Sequence, residues 1–536
     1  MMNFPTLLRA PDRVMGATDA SPFRFEEDLQ AECPVQYEYR IEENSAKVII
    51  YPSGAPVRFL KLRFRADLAF VESVCGDEWE RCGQGGFIQW TSMTNSRRMP
   101  WFCYLRSGQR LACYGVKTGA DSFAFWQADA HGLTLFLNLL NANGGTDLKE
   151  PLVACEVVER IAPEGETPYE AARAFAGVMC EHPVLPKEPV FGVNNWYWAY
   201  GNIDYGTIMT ETDYLLEMTA GTKHRPYMII DDGWQLNRTM TKPAYIGGPW
   251  LPNEGFGDMA KTAADIHAKG AKAGIWFRPL LTLGKIPEEA CLLLRAGGQI
   301  MDPSHPYTLE RVQADAARIR SWGFDLIKHD FTCDDLFESA VLSATHGVTM
   351  MRSNLKFYDK TRTTATILKT LYKTVQAGAG EADVIGCNVV GHLSAGIHSM
   401  QRVGGDTSGR SYEHTVRNGV NSMMRLPQNG NFFLIDPDCA AFTQKVSAKA
   451  NLDFLEMCAV AGVTTLASVT PGILNPAEMK RIREIYHIAD KNADPCGIEH
   501  FEKTSFPEIF KGKEIYRAFN WTEVYDGSRS QLSWLE

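Results

Sequence analysis

The sequence lacks any apolar run near the ~18 residues that a membrane-spanning helix needs, so no membrane partner is expected. Met1 to Phe23 has no apolar core flanked by positive charge, so no secretory signal is visible. There is no Lys/Arg-rich run, and the net charge is −10, so nucleic acid is not an expected partner. The 13 cysteines are odd in number and scattered, with no Cys-x-x-Cys pair. That spacing fits reduced thiols in a cytoplasm and argues against a zinc site. No repeat of solenoid period is present. Neither a metal nor a cofactor is expected.

The chain is otherwise long and ordinarily globular. Its 536 residues are too many for one core, so several domains are expected. Residues 1–165 read as strands. Leu60, Leu62 and Phe64 alternate with Lys61, Arg63 and Arg65, the pattern of a sheet with one wet face. That pattern predicts an N-terminal β-sandwich. Gly83-Gln84-Gly85-Gly86 precedes no helix pattern and is rejected as a nucleotide loop. Residues 166–189 form a link: Thr167-Pro168-Tyr169-Glu170 is a helix start, and Pro183, Pro186 and Pro189 stiffen the segment after that helix. From 190 to 492 short apolar runs mostly alternate with helical patterns. Eight such runs predict a central (β/α)8 TIM barrel, with little helix between the fifth and sixth. Thr332 to about Lys360 reads as a long loop. Residues 493–536 read as a small C-terminal antiparallel β region, with a strand at Glu514–Phe519 and a turn at Asp526-Gly527.

In such a barrel the chemistry sits where strands end. The expected strand ends carry Trp196, Trp198, Asp231, Asp232, Trp234, Arg278, Lys328, Asp330, Asn388, Arg402 and Asp406. Taken alone, Lys328-His329-Asp330 reads as a structural ion pair and Asp231-Asp232-Gly233 as a turn. Their recurrence at successive strand ends argues for one shared cleft. Asp436-Pro437-Asp438 is left as a turn. Aromatic rings beside carboxylates suit sugars, so an oligosaccharide or glycoside is the expected substrate. Two facing carboxylates suit glycosidic cleavage. Asp330 and Asp406, on the fourth and sixth strands, are the opposed pair. Lys328 would keep Asp330 ionised, as a nucleophile needs. Asp406 comes after two glycines, and local burial would hold its proton, as a general acid needs. His392 and His398 read as packing histidines, because no other ligand pattern completes a metal site.

The runs Asp231-Asp232-Gly233-Trp234-Gln235, Gly274-Ile275-Trp276-Phe277, Asp302-Pro303-Ser304-His305-Pro306, Lys328-His329-Asp330 and Gly405-Asp406-Thr407 occur in this order. Together they resemble the clan D glycoside hydrolases, and within them the family 36 group of melibiases (α-galactosidases) and raffinose synthases. The resemblance covers roughly 190 to 490, and the domain order matches as well. It implies retaining hydrolysis of α-glycosides without a metal, with Asp330 as nucleophile and Asp406 as acid/base. It implies that Asp231 and Asp232 grip sugar hydroxyls, that Lys328 sits beside the nucleophile, and that Trp276 and Cys387 belong to the pocket.

The chain departs from the melibiase pattern at Arg278, where Glu is usual, and at His329, where Trp is common. It departs again at Asn388-Val389-Val390-Gly391-His392 and at Thr407-Ser408-Gly409-Arg410. These changes leave the sugar open. The rivals are a glycosyl transferase of the raffinose synthase type, a glycosidase for a modified or non-galactose sugar, and a silent sugar-binding barrel. Arg278 is expected within reach of Asp231, Asp232 or the sugar. A homo-oligomer is left open.

Overall fold

The computed structural model describes residues 3–21, 33–81, 88, 90–93, 97–237, 244–295, 297–338, 351, 355–491, 497–503, 509–511 and 516–518. Gly83–Gly86, Asp526-Gly527 and most of the 339–354 stretch lie outside the described residues.

Two antiparallel sheets make up the N-terminal part. One has five strands: Arg13–Thr18, Val57–Arg65, Gly132–Asn138, Phe123–Asp129 and Met99–Pro100. The other has seven, among them Ala46–Ile50, Leu152–Ile161, Arg110–Val116, Phe102–Ser107 and Ser73–Gly76. Leu60, Leu62 and Phe64 are fully buried while Arg65 is exposed, so the period-two reading gives the correct inner face. Aromatic edges hold the centre: Trp79 meets Trp101 at 5.2 Å and Phe123 at 5.4 Å between ring centroids. Helix Pro168–Met179 then starts on a complete capping box between Thr167 and Glu170.

The next sheet is parallel and TIM-barrel-like. In spatial order its strands are Leu434–Asp436, Met400–Arg402, Asp383–Gly386, Leu326–His329, Lys272–Phe277, Tyr227–Ile230, Phe191–Asn194, Thr465–Val469 and Cys439–Phe442. Nine segments stand where eight were expected, because the seventh strand is broken. Asp436 and Cys439, at opposite ends of the sheet order, are separated only by Pro437-Asp438, so the sheet curls back upon its start. Pro437 has no N–H for a ladder, and Asp438 has φ 74°, so the strand cannot run through. Register aligns the strand ends: Phe277 pairs with His329, and His329 with Gly386.

Between the fifth and sixth strands lies only the four-residue helix Gly391–Ser394, which accounts for the weak pattern there. Two elements differ from expectation. Helix Thr332–Phe337 begins where a loop was read, directly after Asp330. A small antiparallel sheet, Leu281–Thr282, Cys291–Arg295 and Gly298–Met301, is inserted after the third strand. Near the C-terminus Gly497–Ile498, Ile509–Lys511 and Tyr516–Ala518 pair antiparallel. No helix among the described residues is long and apolar enough to cross a membrane.

Candidate active site

Strand Leu326–His329 is wholly buried, and its C-terminal end delivers Lys328 and Asp330 two residues apart, towards one side. Phe331 then turns in the left-handed region, with φ 65°, an uncommon conformation for an aromatic residue. The turn points its N–H back at Asp330 Oδ1, at 2.7 Å. Trp276 Nε1 donates to Asp330 Oδ2 at 3.1 Å, so both carboxylate oxygens are fixed. Burial opposes the charge on Asp330. The positive charges of Arg81 and Lys328, with these two donors, outweigh it and hold the carboxyl below its usual value.

The second strand ends in a carboxylate pair with two distinct environments. Asp231 Oδ2 accepts from Lys328 Nζ at 2.7 Å and from Asn194 Nδ2 at 2.6 Å. Asp232 accepts from Gln235 Nε2 at 2.6 Å and from the Tyr245 N–H at 2.5 Å. Burial nevertheless raises the Asp232 carboxyl to about 7. Gly233 makes the turn possible: its φ is 119°, and a Cβ there would lie 2.5 Å from the Gly201 carbonyl oxygen.

Asp406 lies beyond the sixth strand, after Gly404-Gly405. A Cβ on Gly404 would lie 2.2 Å from Asn418 Oδ1, so the close approach requires glycine. Asp406 Oδ1 accepts from Arg402 Nη2 and from Arg81 Nη1, each at 3.2 Å. Arg402 is buried, and its guanidinium also bonds Asp438. Arg81 follows strand Ser73–Gly76 of the N-terminal antiparallel sheets and reaches the cavity from there.

These groups enclose a cavity of about 100 Å³. It is lined by Arg81, Trp196, Tyr197, Asp231, Asp232, Tyr245, Trp276, Lys328, Asp330, Phe331, Asp334, Asn388 and Asp406. Acids, two cations and aromatic faces in a small concave site suit a polyhydroxylated ring.

No protein-family model matches the chain. A 155-residue stretch, 28% of the chain, is 26% identical to an α-galactosidase from Cyamopsis tetragonoloba, and the match spans only 32% of that relative's length. The structure is similar to that of TtGalA, an α-galactosidase from Thermus thermophilus in complex with p-nitrophenyl α-D-galactopyranoside. The TM-score is 0.61 at 17% identity, over 90% of this chain and 98% of that one. The fold is that of the family 36 α-galactosidases. The GH36 α-galactosidase AgaA from Geobacillus stearothermophilus is also similar, with TM-score 0.59 at 12% identity, over 89% of this chain and 77% of that one.

Five expected residues stand elsewhere than in the lining. Trp234 turns inward, packs on Trp250 and Trp322, and donates its Nε1–H to the Trp276 carbonyl. Trp198 faces helix Tyr205–Met218, where its Nε1 donates to Glu211 at 3.1 Å. Arg278 is not bonded to Asp231 or Asp232. It forms a two-pronged pair with Asp335, at 3.1 and 2.5 Å, and lies 4.1 Å from the Phe331 ring centroid. Helix Thr332–Phe337, read as loop, brings Asp335 there. Cys387 and Arg402 stand behind the wall: Cys387 Sγ accepts from Arg81 Nη1 at 3.4 Å and from Arg402 Nη1 at 3.5 Å. Burial raises the Cys387 thiol well above its usual value.

The local burial expected at Asp406 is absent: its side chain is 57% exposed. His329 faces away from the cavity, against Thr332, Tyr372 and His398. His392 stacks on Trp101 at 4.5 Å. Asp438, read as a turn residue, accepts from Arg402, from the Tyr197 hydroxyl and from the Thr407 N–H. Its signal was its place at the end of the seventh strand. Arg81 carried no sequence signal of this kind.

Proposed function

We propose that this chain is a retaining α-glycoside hydrolase acting on α-galactosides. One observation carries the reading: Asp330 is a buried carboxylate held ionised and fixed at both oxygens, in the same small cavity as the accessible carboxyl of Asp406. Fixing both oxygens places the carboxylate without rotamer search, and the adjacent cations keep it anionic for attack on an anomeric carbon. As the glycosyl ester forms, charge leaves the carboxylate, and the Trp276 and Phe331 N–H bonds to its two oxygens weaken. Asp406 then serves the other face of the sugar, protonating the departing oxygen and later deprotonating water. Asp231, fixed by Lys328, and Asp232 accept hydrogen bonds from sugar hydroxyls, while Trp196, Tyr245 and Trp276 pack on C–H faces. TtGalA was solved with stachyose as well as with the nitrophenyl galactoside, which supports an α-galactosyl oligosaccharide as substrate here.

The domain assignment belongs to the same reading: 1–165 sandwich, 166–189 link, 190–492 catalytic barrel and 493–536 C-terminal β region. A cytoplasmic location belongs to the same reading and rests on the odd, scattered cysteines of the sequence.

The test is stereochemical. Proton NMR of the first product of p-nitrophenyl α-galactoside should show the α-anomer. Asp330→Gly should lose turnover, and azide should restore part of it as a β-galactosyl azide. An initial β-anomer of the free sugar, or a wild-type rate in Asp330→Gly, would overturn the proposal.

A further inference from the structure

We propose that Arg81, supplied by the sandwich, is the positioning residue for Asp406: it holds Oδ1 so that Oδ2 is presented to the departing glycosidic oxygen. The inference rests on the acid/base reading of Asp406 above. Asp406 sits on coil, with more than half its side chain exposed, so packing does not select its rotamer. Its Oδ1 accepts from two guanidinium groups, Arg81 Nη1 and Arg402 Nη2, at 3.2 Å each. Oδ2 takes no hydrogen bond among the described residues. Two rigid forks on one oxygen set both the position and the torsion of the carboxyl and leave the other oxygen for chemistry.

Both forks are themselves anchored. Arg402 is buried against Asp438. Arg81 ends a strap, Asp77–Arg81, that runs from strand Ser73–Gly76 onto the barrel mouth. Asp77 accepts from Arg425 Nε at 2.9 Å and from Gln428 Nε2 at 2.7 Å. Trp79 is locked into the sandwich core. Glu80 bridges Asn388 Nδ2 at 2.9 Å and Arg81 Nε at 2.8 Å. The Arg81 carbonyl accepts from Asn421 Nδ2 at 3.0 Å and from Arg425 Nη1 at 2.8 Å. The pairs and hydrogen bonds at the seam already dock the strap. They do not call for a guanidinium carried past the seam onto Asp406 and Cys387. The strap fixes the backbone of Arg81 so that its side chain can fix Asp406.

The test compares methyl α-galactoside, whose leaving group needs a proton, with 2,4-dinitrophenyl α-galactoside, whose leaving group does not. Rates are taken on the plateau of the pH profile, where the charge on Asp330 is complete. Arg81→Ala should slow the methyl glycoside by ~100-fold and the dinitrophenyl glycoside by no more than ~5-fold. Millimolar guanidinium should restore part of the loss, and Arg81→Lys should fall between. If the alanine variant does not fold, Arg81→Lys carries the same comparison. Equal losses on both substrates, or none on either, overturn the inference. Asp406→Ala is run beside it. If that variant also shows no split, the acid/base reading itself has failed; if it splits and the Arg81 variants do not, only the role of Arg81 has failed.

Discussion

Lys328 donates to Asp231 Oδ2 at 2.7 Å, and Asp330 receives only its charge. The lysine therefore serves two carboxylates in different ways. Burial disfavours its ammonium form, but Asp231 raises its pKa well above the usual value. Lys328→Met should leave Asp231 buried without its cation, a loss of about 3–5 kcal/mol by the usual cost of breaking a buried pair. The kinetic effect has a sign. Lys328 helps to lower the Asp330 pKa, so its loss raises that pKa. The acid limb of kcat/KM should move to higher pH. A limb that stays in place or moves down would show that the lysine charge does not reach Asp330.

Asp232 offers a second pH test, this time on stability. Burial raises its carboxyl to about 7 against 3.8 for the free group. Between those values the folded chain holds a proton that the unfolded chain has released. Its contribution is thus fully present below the unfolded pKa and is lost as pH rises through about 7. Asp232→Asn resembles the protonated acid and does not titrate. Relative to wild type, the variant should gain stability between pH 5 and pH 8, on the order of 1–4 kcal/mol. It should lose galactoside turnover at both. Thermal melts across this window that run parallel for the two proteins would remove the assignment.

Arg278 and Asp335 form a buried pair behind Phe331, so neither is a free reader of the sugar. Arg278→Met and Asp335→Leu should each cost about 3–5 kcal/mol, because each strands one buried charge. The double variant should recover most of that loss, as an apolar pair leaves no charge behind. Arg278→Glu should be worse than either single change, since it sets two carboxylates together. Urea unfolding of the four variants decides this. Additive losses in the double variant would mean that the two residues act separately.

The sequence exposed what periodicity and strand position can expose. Leu60, Leu62 and Phe64 marked the sandwich face, and Lys328-His329-Asp330 marked a strand exit, because both depend on local spacing. Trp234 and Trp198 misled for the same reason: adjacency to Asp232 or Trp196 in the chain does not fix which way a large ring turns. Trp234 finds Trp250 and Trp322, which lie far along the chain or on another element. Helix Thr332–Phe337 was hidden by its brevity, and with it the partner of Arg278. Arg81 was the hardest to see. It lies 325 residues from Asp406, and only the docking of the strap brings them together.

Asp438 separates a turn residue from a structural hub. As a turn residue, Asp438→Asn would change stability by no more than about 0.5 kcal/mol, like most substitutions away from a buried network. In the structure Asp438 Oδ2 accepts from Arg402, from the Tyr197 hydroxyl, from the Thr407 N–H at 2.8 Å and from the Thr407 hydroxyl at 3.2 Å. The Arg402 side chain is 1% exposed, and without Asp438 the carboxylate still hydrogen-bonded to it is the exposed Asp406. Asp438→Asn should therefore cost about 3–5 kcal/mol. It should also draw Arg402 towards Asp406 and slow poor-leaving-group galactosides more than activated ones. Tyr197→Phe removes a single donor from the same oxygen and should cost only about 1 kcal/mol. Urea unfolding of the two variants, with rates on both substrate classes, checks the ordering. If Asp438→Asn is no more destabilising than Tyr197→Phe, the residue is a turn and Arg402 is held by something else.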